Sequence, residues 1–307
     1  MSSFYKNNFY EHFSRKNYNS LPDFRTDKNY LVRYNTKFDY SKSSKKSLAI
    51  LYLNSGFGDL VINGVKRKIN NEKFILSNPS DGYIEYFDNK NNKSIDVMAF
   101  VISHDLQNEF TFYASAKNAN SLLDNPFGKS NDGSLLVEGI FNTHHYKSGK
   151  LIQSIFKTSN SSDFQTMCPN EISMQVMQSI YLDQVDWYNA AIKIPKQKIS
   201  TKVETLKRIL TAYEYIHDNI NKKIEIEELS KISSLSGYHL FNAFKAIYGV
   251  TPHQYINNQK MSKASTYILE GKHSLTEIAI LLGFNDLTVF GKIFKKTYGY
   301  SPSRLYK

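Results

Sequence analysis

Two sets of side chains near the C-terminus repeat one another at a nearly constant distance. Phe244-Lys245, Tyr248-Gly249 and Pro252 recur 50 positions later as Phe294-Lys295, Tyr298-Gly299 and Pro302. Ahead of them the offset is 49, pairing Leu229 with Ile278 and Leu235 with Phe284. The chemistry on offer is recognition rather than bond making. Lysines on a helix can hold a phosphate backbone, an asparagine amide can pair with an adenine edge, and apolar side chains can rest on thymine methyl groups. A helical unit written twice is a device for reading two stretches of one DNA face, so the duplication bears on function directly.

Each copy accounts for its own fold. In the second, Ser274 caps a helix and Glu277, three residues on, completes a capping box. Ile278, Leu281 and Leu282 give that helix an apolar stripe, and Ala279 stands where a partner helix approaches closely. Gly283 occupies the tight turn, where a residue without Cβ is unstrained. Asn285 or Asp286 caps the next helix. There Phe290, Ile293 and Phe294 face inward at i, i+3 and i+4, while Leu287, Thr288, Gly291, Lys292 and Lys295 face outward. The first copy has Ser230 and Ser234 in place of Ala279 and Gly283, takes Ser236 as its cap, and turns Leu240, Ala243 and Phe244 inward.

This pair, with the segment between, resembles the AraC/XylS family of bacterial transcription regulators over about residues 201–307. The most specific stretch is G-F-x-x-x-x-x-F-x-K-x-F-K-K-x-x-G-x-S-P, from Gly283 to Pro302. The chain departs from the family at Ser230 and Ser234. It also departs in the connecting helix, which reads Lys260-M-S-K-A-S-T-Y-I-Leu269 where the family usually opens with arginines. The resemblance implies that Tyr238, Phe241 and Asn242 reach bases from the first unit, and Thr288, Val289, Gly291 and Lys292 from the second. It places Lys245, Lys295, Lys296 and Arg304 on the DNA backbone, with Ser236 and Asn285 at the helix starts completing the DNA-binding set. The partners it implies are double-stranded promoter DNA and RNA polymerase, and the action it implies is activation.

The first two hundred residues read differently. Leu48–Leu53, Leu60–Ile62 with Val65–Arg67 across Asn63-Gly64, Lys73–Leu76, Tyr83–Phe87 and Ser94–Ile102 have strand character. Leu135–Phe141 and Leu151–Phe156 extend the β pattern. The fold class expected is α+β, a β-rich N-terminal domain followed by an all-α domain with two helix-turn-helix units. The family commonly places a cupin-like jelly roll in the first position, and Ile62 to Pro79 is similar to that arrangement. Helical pattern starts near Pro169-Asn170, with Glu171–Ile192 as one helix that either serves as a dimerisation element, as the family resemblance implies, or packs on its own sheet. Thr201–Asn219 is the next, with Val203, Leu206, Leu210, Tyr213 and Ile216 on one face. Pro195–Ser200 breaks the pattern between them. The boundaries expected are a regulatory domain at 1–195, a linker at 196–200 and a DNA-binding domain at 201–307.

Composition is consistent with these expectations. The 307 residues carry a net charge of +11, a balance suited to a polyanion. Residues 255–307 hold eight Lys/Arg against three Asp/Glu, whereas 201–254 hold seven against six, so the excess sits with the second unit. Cys168 is the only cysteine, which rules out an intramolecular disulfide and fits a reduced, cytoplasmic setting. The opening residues Met1–Phe9 have no apolar signal core, and no segment approaches the ~20 apolar residues of a membrane span, so no membrane partner is expected.

A cupin-type metal-dependent enzyme with a DNA-binding appendage is the alternative reading, and it needs converging ligands. Tyr30 to Val101 contains no histidine, His104 stands alone, and His144-His145 would point to opposite faces of a strand. No metal, cofactor or catalytic residue is therefore expected. A nonspecific architectural DNA protein is disfavoured because Lys292 is the only base at the expected base-facing positions. Tyr34, Phe38, Tyr40, Tyr52, Tyr83, Tyr86 and Phe100 either line a small-molecule effector pocket or form an aromatic-rich core.

Overall fold

The computed structural model describes residues 29–36, 40–43, 47–62, 65–77, 84–87, 95–115, 136–159, 161, 168–192, 194 and 198–305. The chain divides into two compact units, Met1–Asp186 and Trp187–Lys307.

The first unit holds two antiparallel sheets. One has the order β1 (Tyr30–Thr36), β8 (Ile95–Ile102), β3 (Leu48–Ser55), β6 (Lys73–Ser77), β9 (Gly139–Asn142). The other runs β2 (Tyr40–Ser43), β7 (Ile84–Phe87), β4 (Phe57–Ile62), β5 (Val65–Asn70). The register pairs Ile62 with Val65, as a two-residue hairpin requires, and the Asn63-Gly64 turn itself lies outside the described residues. The middle strands are buried on both faces. Ile50, Leu51, Tyr52 and Leu53 are all core residues in succession, and so is every position of β6, which explains their unbroken apolar runs. Tyr52 packs edge-on against Phe156 at 5.4 Å, and Phe100 is fully buried, so these two aromatics belong to the core. Phe38 and Tyr83 lie outside the described residues, as do the side chains of Tyr34, Tyr40 and Tyr86.

Two expected strands come out otherwise. Leu151–Phe156 is part of helix α2 (Lys147–Thr158), which follows helix α1 (His104–Ser115) in the chain. Its buried residues Ile152, Ile155 and Phe156 stand at helical spacing, which a six-residue apolar run does not distinguish from a strand. The carboxylate of Asp183 accepts from the Ser148 N–H at 2.9 Å and satisfies the start of that helix. Of Leu135–Phe141, only Gly139 onward pairs with β6. Just before it, the buried amide of Gln184 takes the place of a strand, accepting from Val137 N–H at 2.8 Å and donating to its carbonyl at 3.1 Å. Gln184 lies on α3 (Pro169–Ile192).

From Trp187 the described residues of the second unit are helical apart from connections. They comprise the end of α3, then α4 (Ile199–Asp218), α5 (Ile226–Ser233), α6 (Gly237–Tyr248), α7 (Pro252–Glu270), α8 (Leu275–Leu281), α9 (Leu287–Tyr298) and α10 (Pro302–Leu305). The expected linker at 196–200 lies within this unit, and its last two residues already begin α4. Leu206, Leu210 and Ile216 bury one face of α4, and Ile220 is buried just beyond its end. Tyr213 on the same helix stacks on Tyr248 at 4.9 Å and lies 5.6 Å from the Trp187 ring.

Both helix-turn-helix turns have the same backbone. Ser234 N–H donates to the Lys231 carbonyl and Leu235 N–H to that of Ser230; Gly283 N–H donates to the Ile280 carbonyl and Phe284 N–H to that of Ala279. This double closure is the Schellman motif, which needs a left-handed residue just past the helix. Ser234 has φ +54° and Gly283 φ +70°. A Cβ at Gly283 would lie 2.5 Å from the carbonyl carbon of Lys222 and 2.6 Å from Lys223 N, so the second turn sits directly on that backbone. Leu281, expected in the apolar stripe, is 42% exposed; Ile278, Ala279 and Leu282 alone carry the buried face of α8.

The two turns should respond oppositely to substitution. Ser234→Gly relieves a left-handed serine and is expected to stabilise by about 1 kcal/mol, while Gly283→Ala combines backbone strain with overlap and should cost roughly 2–4 kcal/mol. Denaturant unfolding of the two variants checks the signs. A fragment beginning at 187 should also melt above one beginning at 201, because the shorter piece lacks the Trp187 ring that covers Tyr213 and Tyr248.

Candidate nucleic-acid interface

The base-facing set projects from α6 and α9, and the local sequence explains why. On α6, Leu240, Ala243, Phe244 and Ile247 are buried at helical spacing, which turns the intervening residues outward. Tyr238 is 75% exposed and Phe241 43%, and Asn242 and Lys245 are exposed beside them. Ser236 caps the helix, its hydroxyl accepting from His239 N–H at 3.3 Å and lying 2.9 Å from His239 Nδ1. His239 is exposed on the first turn of the same helix, and its outward position follows from the spacing of Leu240 and Ala243, although it was not singled out in the sequence.

On α9, Phe290 and Phe294 are fully buried and Ile293 is partly so. Thr288, Lys292, Lys295 and Lys296 are exposed, and Val289 is 46% exposed. Gly291 is half-buried, and a Cβ there would meet nothing within 4 Å, so its surroundings are open. Of the two capping candidates it is Asp286 that caps, accepting from Thr288 N–H at 2.7 Å, while Asn285 is exposed beside it. Arg304 lies on α10, exposed, with its guanidinium carbon 5.9 Å from the Tyr300 ring. The sequence-predicted residues thus fall into two separate exposed faces, one per helix-turn-helix.

Between the faces runs α7. A capping box between Thr251 and Gln254, with Pro252 in the first turn, starts it, and Gly271 in the left-handed region ends it. Its first half belongs to the first helix-turn-helix, where Tyr255 packs on Phe244 at 5.5 Å and bonds His217 Nε2 at 2.8 Å. Its second half supplies Met261, Ala264 and Ile268 to the core around Ile278, Leu282, Phe290 and Phe294. Lys260 stands midway and is 4% exposed. Its ammonium donates to the Lys222 carbonyl at 2.7 Å and to the Leu282 carbonyl at 2.6 Å, and lies 5.0 Å from the Phe284 ring. One of the eight positive charges counted over 255–307 is therefore internal. Sequence reading takes it for surface charge because a lone lysine in a polar helix carries no mark of burial.

His104 is exposed at the start of α1, and His144 and His145 are exposed in the turn between β9 and α2. Among the described residues no three His, Cys, Asp or Glu side chains are grouped to hold a metal ion. Among the same residues no helix is long and apolar enough to cross a membrane.

Comparison with known proteins bears on the second unit. The family described as a helix-turn-helix domain matches residues 229–307. "Probable transcriptional regulator LumQ" of Photobacterium leiognathi is 36% identical over 103 residues, 34% of this chain and 41% of that one. The bifunctional transcriptional activator/DNA repair enzyme AdaA of Bacillus subtilis is 34% identical over 91 residues, 30% and 43% of the two chains. The XylDLEGF operon transcriptional activator of Pseudomonas putida is 30% identical over 93 residues, 29% of each. Residues 229–307 are thus similar to a helix-turn-helix domain, and the matched relatives are described as transcriptional regulators. The chain spans less than half the length of each of these relatives. Among solved structures, apo ToxT from Vibrio cholerae aligns over 90% of this chain and 96% of its own with 17% identity and a TM-score of 0.34.

Within the helix-turn-helix region, Lys260 makes stability depend on pH in a defined direction. Burial lowers its pKa from 10.5 to about 8. Between those values the unfolded chain keeps the proton and the folded chain releases it, so stability rises with pH across that window. The neutral amine retains two N–H donors, one for each carbonyl. Tyr213, Tyr248 and Tyr255, raised by burial, oppose the trend only above their ordinary value of 10.0. Denaturant midpoints should therefore climb from pH 8 to pH 10 in the wild type, and Lys260→Met should flatten that slope.

Proposed function

We propose that the protein is a sequence-specific transcription regulator, an activator, that binds double-stranded DNA through both helix-turn-helix units in successive major-groove segments. The observation that carries the reading is the pairing of two exposed, largely uncharged helix faces with flanking lysines. Tyr238, Phe241 and Asn242 form one face and Thr288, Val289 and Gly291 the other, with Lys292 at its edge. Lys245, Lys295, Lys296 and Arg304 supply the charge that holds phosphates, which orients without specifying. A nonspecific binder would present cations on the reading faces themselves.

The first unit, in this reading, is a cupin-like jelly roll that senses a small molecule or pairs with a second copy, and RNA polymerase is the partner at the promoter. Its two antiparallel sheets and the closely packed α3 are consistent with that role. The setting is the cytoplasm, as a reader of chromosomal promoters requires.

The side chains presented favour A·T-rich sites, since Asn242 suits an adenine edge and Phe241 and Val289 suit thymine methyls. Selection from random oligonucleotides should return two half-sites about one helical turn apart. Asn242→Ala should cost about 1–3 kcal/mol at one position and relax the base chosen there, while Lys295→Ala should weaken all sites alike and lower the salt slope by about one unit. A consensus dominated by G·C in both half-sites, or an Asn242→Ala variant with unaltered base preference, overturns this orientation of the helices.

A further inference from the structure

Two recognition units on one chain read a composite site only if their separation and angle are held constant. Apart from the shared helix α7, the second turn meets the first unit where Gly283 lies on the backbone of Lys222 and Lys223. Lys222 belongs to the connection that leads from α4 into α5, and Leu282 closes α8 at the second turn. The Lys260 ammonium bonds the carbonyls of both, at 2.7 and 2.6 Å. From α7, Lys260 thus bonds backbone on both sides of the junction.

The chemistry suits a pin. Leu282 is the C-terminal cap of α8, where the helix carries partial negative charge, so a cation there gains from the dipole as well as from the bond. The Phe284 ring lies 5.0 Å from the ammonium and offers a further attraction to positive charge. With 4% exposure, little water is available to substitute for these partners. Removing the ammonium therefore strands two carbonyls and releases a direct polar tie between the second turn and the lead-in to α5.

We propose that Lys260 is a positioning residue that sets the phase between the two reading helices, so that the protein demands one fixed spacing between its half-sites. This rests on the DNA-binding reading above. One base pair inserted between half-sites displaces the second by about 3.4 Å and turns it by about 35°, more than a pinned pair of units can follow.

The test uses the full chain and the selected site, with zero or one base pair inserted between its halves, in anisotropy titrations. The wild type should lose roughly 30-fold or more in affinity on insertion. Lys260→Met, which keeps the stem and removes the ammonium, should bind the original site more weakly yet lose only about 3-fold on insertion. Lys260→Arg should restore the strict preference, because its fork can serve both carbonyls. A folded Lys260→Met chain that keeps the wild-type spacing preference overturns the proposal.

A second measurement does not depend on that variant folding. Spin labels at Lys231→Cys and Thr297→Cys, in a Cys168→Ser background, report the separation of the units without DNA. A single narrow distance supports the pin, and a broad distribution in a chain with Lys260 intact overturns it. Absence of any sequence preference in the wild type would instead sink the DNA-binding reading, while the spin-label distances still decide the pin.

Discussion

The arrangement of the reading unit depends on one close approach of backbone to backbone. The turn at Gly283 sits on Lys222 and Lys223 so tightly that a methyl group would overlap the peptide, and Lys260 fills the junction with a cation that serves a carbonyl on each side. In our proposal the relative orientation of α6 and α9 is fixed at that contact, together with the shared helix α7. A lysine buried at such a point is costly to desolvate, and the lowering of its pKa to about 8 measures the cost. The two short bonds offset it, and they are directional, which hydrophobic packing between the units would not be.

The two copies have diverged under this constraint. Both turns use the same Schellman closure, yet the first tolerates a serine in the left-handed region and the second has glycine. The difference is one of surroundings. Ser234 is exposed, and its carbonyl accepts from Arg208 Nη1 at 3.0 Å, so its Cβ has space and the penalty is conformational alone. Gly283 faces peptide atoms and has no such space. Charge has diverged as well. Exposed Glu227 and Glu228 open the first unit at α5, whereas Lys292, Lys295 and Lys296 line the second at α9. In the proposed DNA-binding reading, phosphate attraction is concentrated on the second helix-turn-helix, while the first presents Tyr238, Phe241 and Asn242 beside the single Lys245.

The first unit is organised by side chains that stand in for backbone. Gln184 completes what a strand would have provided for Val137, and Asp183, one residue earlier on α3, caps α2. Arg33 bonds Asp96 across neighbouring strands at 3.0 Å and lies 4.0 Å over the Phe156 ring, tying β1 and β8 to α2. The abundance of aromatics in this half is in part the abundance of its core, as Tyr52, Phe74, Phe100 and Phe141 show.

Much of the second unit was legible in sequence because its information is local. The Ser274–Glu277 capping box, the glycine turn, and the inward phenylalanines of α9 each declare themselves within one turn of helix, and the repeat offset of 50 shows them twice. The strands β3, β6 and β8 were legible for a similar reason, being apolar runs bounded by turn residues. Other features were decided only by tertiary structure. Leu151–Phe156 is helical because Asp183, 27 or more positions away, caps its start, and a short apolar run has no period of its own. Leu281 is 42% exposed because the core cluster takes the side of α8 that carries Ile278, Ala279 and Leu282. Lys260 gives no local sign of burial, since its partners are carbonyls 38 and 22 residues distant that any sequence would carry. Local patterns reveal which groups a helix can present. Long-range packing decides which of them meet water and which hold the two halves of the reader in register.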